Sequence, residues 1–149
     1  MIKAILFDFD GTLINTNDVI VEAWQYTYKH YGFDEVPIEH ITKCFGEPLL
    51  ITMAREFPDV DPQESASVYR QRQVDMAEEL VNVFDDIPKL LAELRKDGYK
   101  IGIVTSRTRE STLRYLKQFG IEEYFDGIVT CDDTDKHKPD PEPVLLGLE

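Results

Sequence analysis

The chain opens on an almost continuous apolar run. Over residues 2–9, Ile2, Ala4, Ile5, Leu6, Phe7 and Phe9 are interrupted only by Lys3 and Asp8. Such a run predicts a strand buried on both faces, as in a parallel sheet. Gly11 and Thr12 break it, and Asn15, Thr16 and Asn17 offer caps for a following helix. From residue 18 to about 79 the period becomes helical. Val19, Ala23 and Tyr26, with Trp24 and Tyr31 nearby, predict an amphipathic helix that stops around Gly32. Residues 38–45 predict a short helix ended by Gly46. Pro48 starts another with Leu49, Leu50, Met53, Ala54 and Phe57 on one side, and Asp61-Pro62 opens a long polar helix through Val68, Tyr69 and Met76. This block holds no strand candidate.

Strand and helix then alternate. Ile87, Leu90, Leu91 and Leu94 follow i, i+3, i+4, i+7 spacing, with Pro88 in the first turn and Gly98 at the end. Residues 101–104 predict a short strand, Leu113, Leu116 and Phe119 a helix ended by Gly120, and residues 127–130 a weaker strand. A polar loop over 132–143 leads to what reads as the start of a last helix at 144–149. The order is β, helical block, then αβαβ. That predicts an α/β fold with a parallel sheet and a helical insertion after its first strand.

Composition narrows the function classes. With 16 basic and 29 acidic residues among 149, the net charge is −13, which argues against nucleic-acid binding through phosphates. No apolar run approaches the roughly 20 residues of a membrane span, and Asp8 interrupts the first run too early for a signal peptide. Cys44 and Cys131 are far apart and lack metal-ligand spacing, so a reducing cytoplasm is the expected compartment.

The candidate chemistry lies where the predicted strands end. Alternation puts Asp8 and Asp10 on one side of the first strand, with Phe9 turned into the core. Gly11 lets the backbone approach a ligand. Two adjacent carboxylates repel and call for a cation, a shared proton or good solvation. An oxygen-loving Mg²⁺ meets that need, while a solvated acidic turn is the plainer alternative. The second strand ends in Thr105-Ser106-Arg107, a hydroxyl with backbone N–H groups just before a helix. That suits either a phosphate cradle or simple capping by Thr105, Ser106 or Thr108. Lys138, in a proline-rich loop after the third strand, can present a point charge to a phosphoryl oxygen or sit as a surface lysine. A carboxylate pair, a hydroxyl and a lysine on three successive strand ends together specify phosphoryl transfer far better than any one of them.

These residues resemble a known family. Asp8-x-Asp10-Gly11-Thr12, Thr105 after its apolar strand, and Lys138 ahead of Pro139-Asp140-Pro141-Glu142-Pro143 look like the first three motifs of the haloacid dehalogenase-like hydrolases. The branch they resemble most is that of phosphoglycolate phosphatase and the bacterial pyrophosphatases. The resemblance implies a Rossmann-like core over residues 1–15 and 84–149 and a helical cap over 16–83. Asp8 would be the nucleophile, and Asp10 the acid that protonates the leaving oxygen and then activates water. Thr105 and the Ser106 N–H would hold phosphoryl oxygens, with Lys138 offsetting charge and Gly11 and Thr12 completing the substrate turn. Mg²⁺ would sit on the Asp8 carboxylate and the Asp10 main-chain carbonyl.

The implied substrate is a small phosphorylated metabolite or pyrophosphate. A β-phosphoglucomutase-like phosphotransferase and an inactive fragment are the alternatives. The family's fourth motif should follow the helix starting at Pro141, so the expectation is a partial core, with the strand over residues 2–9 an exposed edge open to self-association. Gly46-Glu47-Pro48 reads either as a substrate-closing loop or as a plain turn. Lys43 and Arg107 read as anion contacts or exposed charges. His30, His40 and His137 are expected at the surface, Cys44 and Cys131 as small packers, and Trp24, Tyr26, Tyr28 and Tyr31 as packing of the first inserted helix.

Overall fold

In a computed structural model that describes residues 1–149, strand β1 (Ala4–Phe7) runs parallel to β4 (Lys100–Val104), with Ala4 opposite Lys100 and Phe7 opposite Ile103. Strand β5 (Gly127–Val129) pairs parallel on the far side of β4, giving the order β1-β4-β5. The apolar run at the N-terminus is therefore not buried on both faces. It forms a sheet edge, with Ala4 exposed and Ile5, Leu6 and Phe7 half-buried. The buried strand is the central one, where every residue from Ile101 to Val104 is inside.

Two glycines set how closely this sheet packs. A Cβ at Gly102 would lie 2.7 Å from the Leu6 side chain on the neighbouring strand. A Cβ at Gly147, in the last helix α7 (Glu142–Gly147), would meet Val104 at 2.8 Å and Leu6 at 3.2 Å. Leu6 thus fills space that both glycines leave open.

The chain divides into two compact units, Met1–Asn15 with Asn82–Glu149, and Thr16–Val81. In the first, a two-residue strand β2 (Ile14–Asn15) pairs antiparallel with β3 (Asn82–Val83). Strands this short carry no readable period, so nothing in the sequence pattern marked them. Helix α5 (Ile87–Lys96) buries Ile87 and Leu91 while Leu90 stays exposed. Helix α6 (Arg109–Gln118) buries Tyr115 and Leu116, and the Tyr115 ring lies 6.3 Å from that of Phe9.

The second unit is helical: α1 (Asn17–His30), α2 (Ile38–Lys43), α3 (Leu49–Glu56) and α4 (Pro62–Leu80). Its core gathers Ala23, Trp24, Tyr28, Ile41, Cys44, Met53, Phe57, Ala66 and Tyr69. Trp24 and Tyr28 pack there, and Tyr26 sits part-exposed beneath the Arg72 guanidinium, 4.7 Å from its ring centre. Of the offered caps of α1, Thr16 takes the N-cap position and Asn17 is the first helical residue. One local expectation gives way. In α3, Ala54 is exposed and Thr52 is buried in its stead, because the Thr52 hydroxyl is bonded to Glu47 at 3.0 Å and to the Pro48 carbonyl at 3.3 Å. A satisfied hydroxyl can go inside where an apolar pattern would not place it.

Candidate active site

Because β1, β4 and β5 are parallel neighbours, their carboxyl ends lie along one side of the sheet, where α/β folds bind ligands. After β1 the chain knots tightly around Phe9. Its carbonyl accepts the N–H groups of Thr12, Leu13 and Ile14 at 3.3, 3.0 and 3.2 Å, and the Gly11 N–H donates back to the Ile14 carbonyl at 2.9 Å. Gly11 closes this turn at φ 75°, a conformation that costs glycine nothing. Phe9, Leu13 and Ile14 are fully buried beneath it. The flanking carboxylates remain accessible, with the Asp8 side chain 52% and the Asp10 side chain 35% exposed. Thr12 is at the surface of the turn.

After β4, Thr105 is buried and its N–H donates to the Val129 carbonyl at 2.9 Å. Its hydroxyl accepts the Arg107 N–H at 3.2 Å. The cap of α6 is Thr108, whose hydroxyl accepts from Ser111 N–H, so neither Thr105 nor the exposed Ser106 is the capping residue.

After β5, Asp133 ties the loop down by accepting from the Thr130 N–H at 2.7 Å, the Thr130 hydroxyl at 2.8 Å and Arg109 at 2.7 Å. Burial pushes the Asp133 carboxyl up, but these donors more than reverse it and hold it below the usual carboxylate range. Asp132 is likewise occupied, accepting the Arg109 N–H at 2.8 Å. Lys138 follows, before a cis bond to Pro139. Its ammonium donates to the Val104 carbonyl at 2.7 Å and pairs with Asp8 at 3.1 Å. It is a pinned residue of the strand-end cluster and not a free loop lysine.

Arg107 departs furthest from expectation. Its side chain is 13% exposed, so it is not a solvated charge. Nε and one terminal nitrogen donate to the two oxygens of Asp10 at 3.1 and 2.8 Å, and the other donates to the Ser111 hydroxyl at 2.6 Å. The guanidinium also lies 5.1 Å from the Tyr115 ring centre and 6.0 Å from that of Phe9. Each carboxylate of the pair therefore has its own cation, Lys138 for Asp8 and Arg107 for Asp10, which answers their repulsion within the protein.

The α/β unit thus brings together Asp8, Asp10, Gly11, Thr105, Arg107 and Lys138. Gly46 belongs to the helical unit, at φ 80° in the turn between α2 and α3, and Lys43 is exposed at the end of α2. Cys44 and Cys131 are free thiols. In the helical unit His40, Cys44 and Glu56 place their ligand-type atoms within 4.8 Å of one another, a cluster that sequence reasoning missed. The signal was available, since His40 lies on α2 and Cys44 follows one turn later as its C-cap. Glu56 there accepts from Tyr28 at 2.8 Å and Arg55 at 3.0 Å and bonds His40 at 2.8 Å, while Arg55 also reaches the Cys44 sulfur at 3.6 Å. With a guanidinium already on both thiol and carboxylate, this is a hydrogen-bonded network at the edge of the helical unit's core, its His40 and Arg55 half-exposed.

The haloacid dehalogenase-like hydrolase profile matches residues 5–149. The chain belongs to this family. It is 39% identical over 150 residues to the pyrophosphatase PpaX of Bacillus velezensis, an alignment covering 99% of this chain and 68% of that protein. The pyrophosphatase PpaX of Bacillus pumilus is 38% identical over 147 residues, covering 99% and 68% respectively. Among solved structures, a haloacid dehalogenase-like family hydrolase from Streptococcus pneumoniae superposes with a TM-score of 0.80 at 28% identity, over 97% of this chain and 67% of that one. In this chain Asp8, Thr105 and Lys138 share the strand ends with an Arg107–Asp10 pair whose guanidinium is largely buried and whose carboxylate stays partly exposed.

Proposed function

We propose that this haloacid dehalogenase-like hydrolase cleaves a small phosphate monoester or inorganic pyrophosphate through an aspartyl-phosphate on Asp8. An Asp8 carboxylate oxygen attacks phosphorus, and the bond to the leaving oxygen breaks as that oxygen takes a proton from Asp10. Asp10 then takes a proton from water, which attacks the acyl phosphate and releases orthophosphate, restoring Asp8. Thr105 and the Ser106 N–H hold phosphoryl oxygens, and the Gly11-Thr12 turn brings backbone close to them. Arg107 meets the anionic substrate from the same strand end. Two hard oxygens, the half-exposed Asp8 carboxylate and the Asp10 main-chain carbonyl, suit Mg²⁺, which keeps several waters in its shell. Bound there, it would supply positive charge against the phosphoryl oxygens.

The observation that carries the reading is the pinning of Lys138. Two contacts fix its ammonium, one to the Val104 carbonyl and one to Asp8, leaving its third N–H for a phosphoryl oxygen beside the nucleophile. Pyrophosphate heads the substrate candidates because the PpaX relatives carry that name. The helical unit, residues 16–83 in the reading from sequence, corresponds to the cap that the family resemblance implies, with Gly46 as its expected substrate contact. The unpaired edge of β1 supports self-association, and two free thiols suit a reducing cytoplasm. No helix is long and apolar enough to cross a membrane.

The test is phosphate release from pyrophosphate, phosphoglycolate and a panel of sugar phosphates with Mg²⁺. Asp8→Asn is expected to lose turnover, and Asp10→Asn to lower kcat by about 100-fold to 10,000-fold. Turnover that survives Asp8→Asn would remove Asp8 as the nucleophile.

A further inference from the structure

Arg107 faces two claims on one guanidinium. Its fork is bidentate on Asp10, braced by Ser111 and flanked by the Phe9 and Tyr115 rings. Such a fork fits a phosphoryl group as well as a carboxylate, and bracing by aromatic rings holds it ready for either. While it holds Asp10, both carboxylate oxygens are turned to the guanidinium. An acid occupied in this way has one lone pair of each oxygen committed to the guanidinium before any leaving group arrives.

The transferred phosphoryl has its own partners in Thr105, Ser106 and Lys138. Asp10 works on the other side, at the leaving oxygen, and the guanidinium lies against Asp10. An anionic group joined to the leaving oxygen would therefore arrive where the fork is.

We propose, resting on the phosphohydrolase reading above, that Arg107 exchanges Asp10 for a second anionic group on the leaving side of the substrate. The exchange does two things. It selects substrates in which the phosphoryl is joined to another phosphoryl or to a nearby carboxylate, and it frees Asp10 when such a substrate is bound. A neutral-tailed monoester offers the fork nothing and leaves Asp10 held.

Binding of non-hydrolysable probes tests this without requiring turnover. Calorimetry on the full chain with Mg²⁺ held constant compares imidodiphosphate (two phosphoryls), 3-phosphonopropionate (phosphoryl and carboxylate) and methylphosphonate (one phosphoryl). The wild-type chain is expected to bind at least one doubly anionic probe about tenfold or more tighter than methylphosphonate. Whichever probe is preferred tells a phosphoryl from a carboxylate as the second group. Arg107→Gln is expected to weaken the doubly anionic probe by about tenfold more than methylphosphonate and so erase the preference, and Arg107→Lys, which keeps the charge but not the fork, to retain part of it.

A wild-type chain without the preference, or an Arg107→Gln chain that keeps it, overturns the proposal. So does a loss equal for all three probes, which marks a residue that only supports the turn. Should Arg107→Gln fail to fold by circular dichroism, Arg107→Lys decides, and an unchanged preference there overturns the proposal. A chain that discriminates as expected but hydrolyses nothing leaves this inference standing and removes the phosphohydrolase reading. A chain that hydrolyses pyrophosphate with no preference does the reverse.

Discussion

At the scale of single residues, the charges of this chain divide into those that hold structure and those that face the site. Asp126 is of the first kind. One oxygen accepts the Ile101 N–H at 2.9 Å and Arg95 at 2.6 Å, so it ties β4 to α5, and Lys100 lies 3.5 Å from the other. The Ile101 N–H, then Arg95 and Lys100, hold its carboxyl below the usual range. In the unfolded chain it titrates near its reference value of about 3.9. A carboxyl depressed by folding adds stability that is present above the unfolded value and lost as pH falls through the folded one. Asp126→Asn should therefore melt at a lower temperature than wild type at pH 7. The gap should close as both are melted at successively lower pH below about 4. A gap that persists at pH 2 would mean the side chain acts by shape alone.

Residue-scale legibility was uneven for the same physical reason. Asp8, Asp10, Thr105 and Lys138 could be read because strand ends impose spacing on them. The Arg107–Asp10 pair spans 97 residues of sequence and is set by tertiary packing, which no local pattern reports. Nor could the residue types show that each carboxylate would find a cation inside the protein.

At the scale of elements, end chemistry and close packing carry separable costs. Asp61 caps α4 by accepting from the N–H groups of Gln63 at 2.8 Å and Glu64 at 3.3 Å. Thr108 caps α6 through one longer bond of 3.4 Å. In denaturant unfolding Asp61→Ala should cost about 1 kcal/mol and Thr108→Ala about 0.5 kcal/mol. Gly102→Ala probes the β1–β4 contact, where the new methyl would meet Leu6 at 2.7 Å. Position 147 of α7 also approaches Leu6, a Cβ there lying 3.2 Å from it, so the side chain has little room to move. The expected cost is about 1–3 kcal/mol, and pairing the change with Leu6→Ala should cost less than the sum of the two singly, because the cavity takes up the methyl. Strict additivity would show that Leu6 and position 102 do not compete for the same space.

These elements were legible where a hydrophobic period runs long enough to be counted. All seven α-helices and the strands β1, β4 and β5 correspond to stretches that the pattern marks, while the 3-10 turn at Glu122–Tyr124 does not. The pair β2 and β3 was invisible because two residues make no period. Burial along β1 was overestimated because an apolar run reports the side chains and not which strands pair beside it.

At the scale of the whole molecule, the edge of the sheet and the net charge act against each other. Lys3 accepts from the Lys100 N–H at 3.0 Å, so alternation turns the polar groups of Lys3, Ile5 and Phe7 toward β4 and those of Ala4 and Leu6 outward. An outward row of this kind pairs readily with a second chain, and Met1 and Ile2 beside it are exposed apolar residues. Lys3 is the one charge within this strand segment, a weak guard for the edge. What opposes pairing is the charge of −13 carried by each chain. That repulsion reaches about 10 Å at 0.1 M salt and about 3 Å at 1 M, whereas backbone pairing is short-ranged and scarcely screened. Size-exclusion chromatography should therefore show elution moving earlier as protein concentration rises, with a larger movement at 1 M than at 0.1 M salt. Ala4→Pro removes an outward N–H without touching the ladder to β4, and should hold the protein at its dilute elution volume in both salts. A wild-type chain whose elution ignores concentration would show that the exposed edge does not pair. Association that grows with salt but survives Ala4→Pro would point instead to the exposed leucines of α7 and its C-cap, Leu145, Leu146 and Leu148, as the surface that meets the second chain.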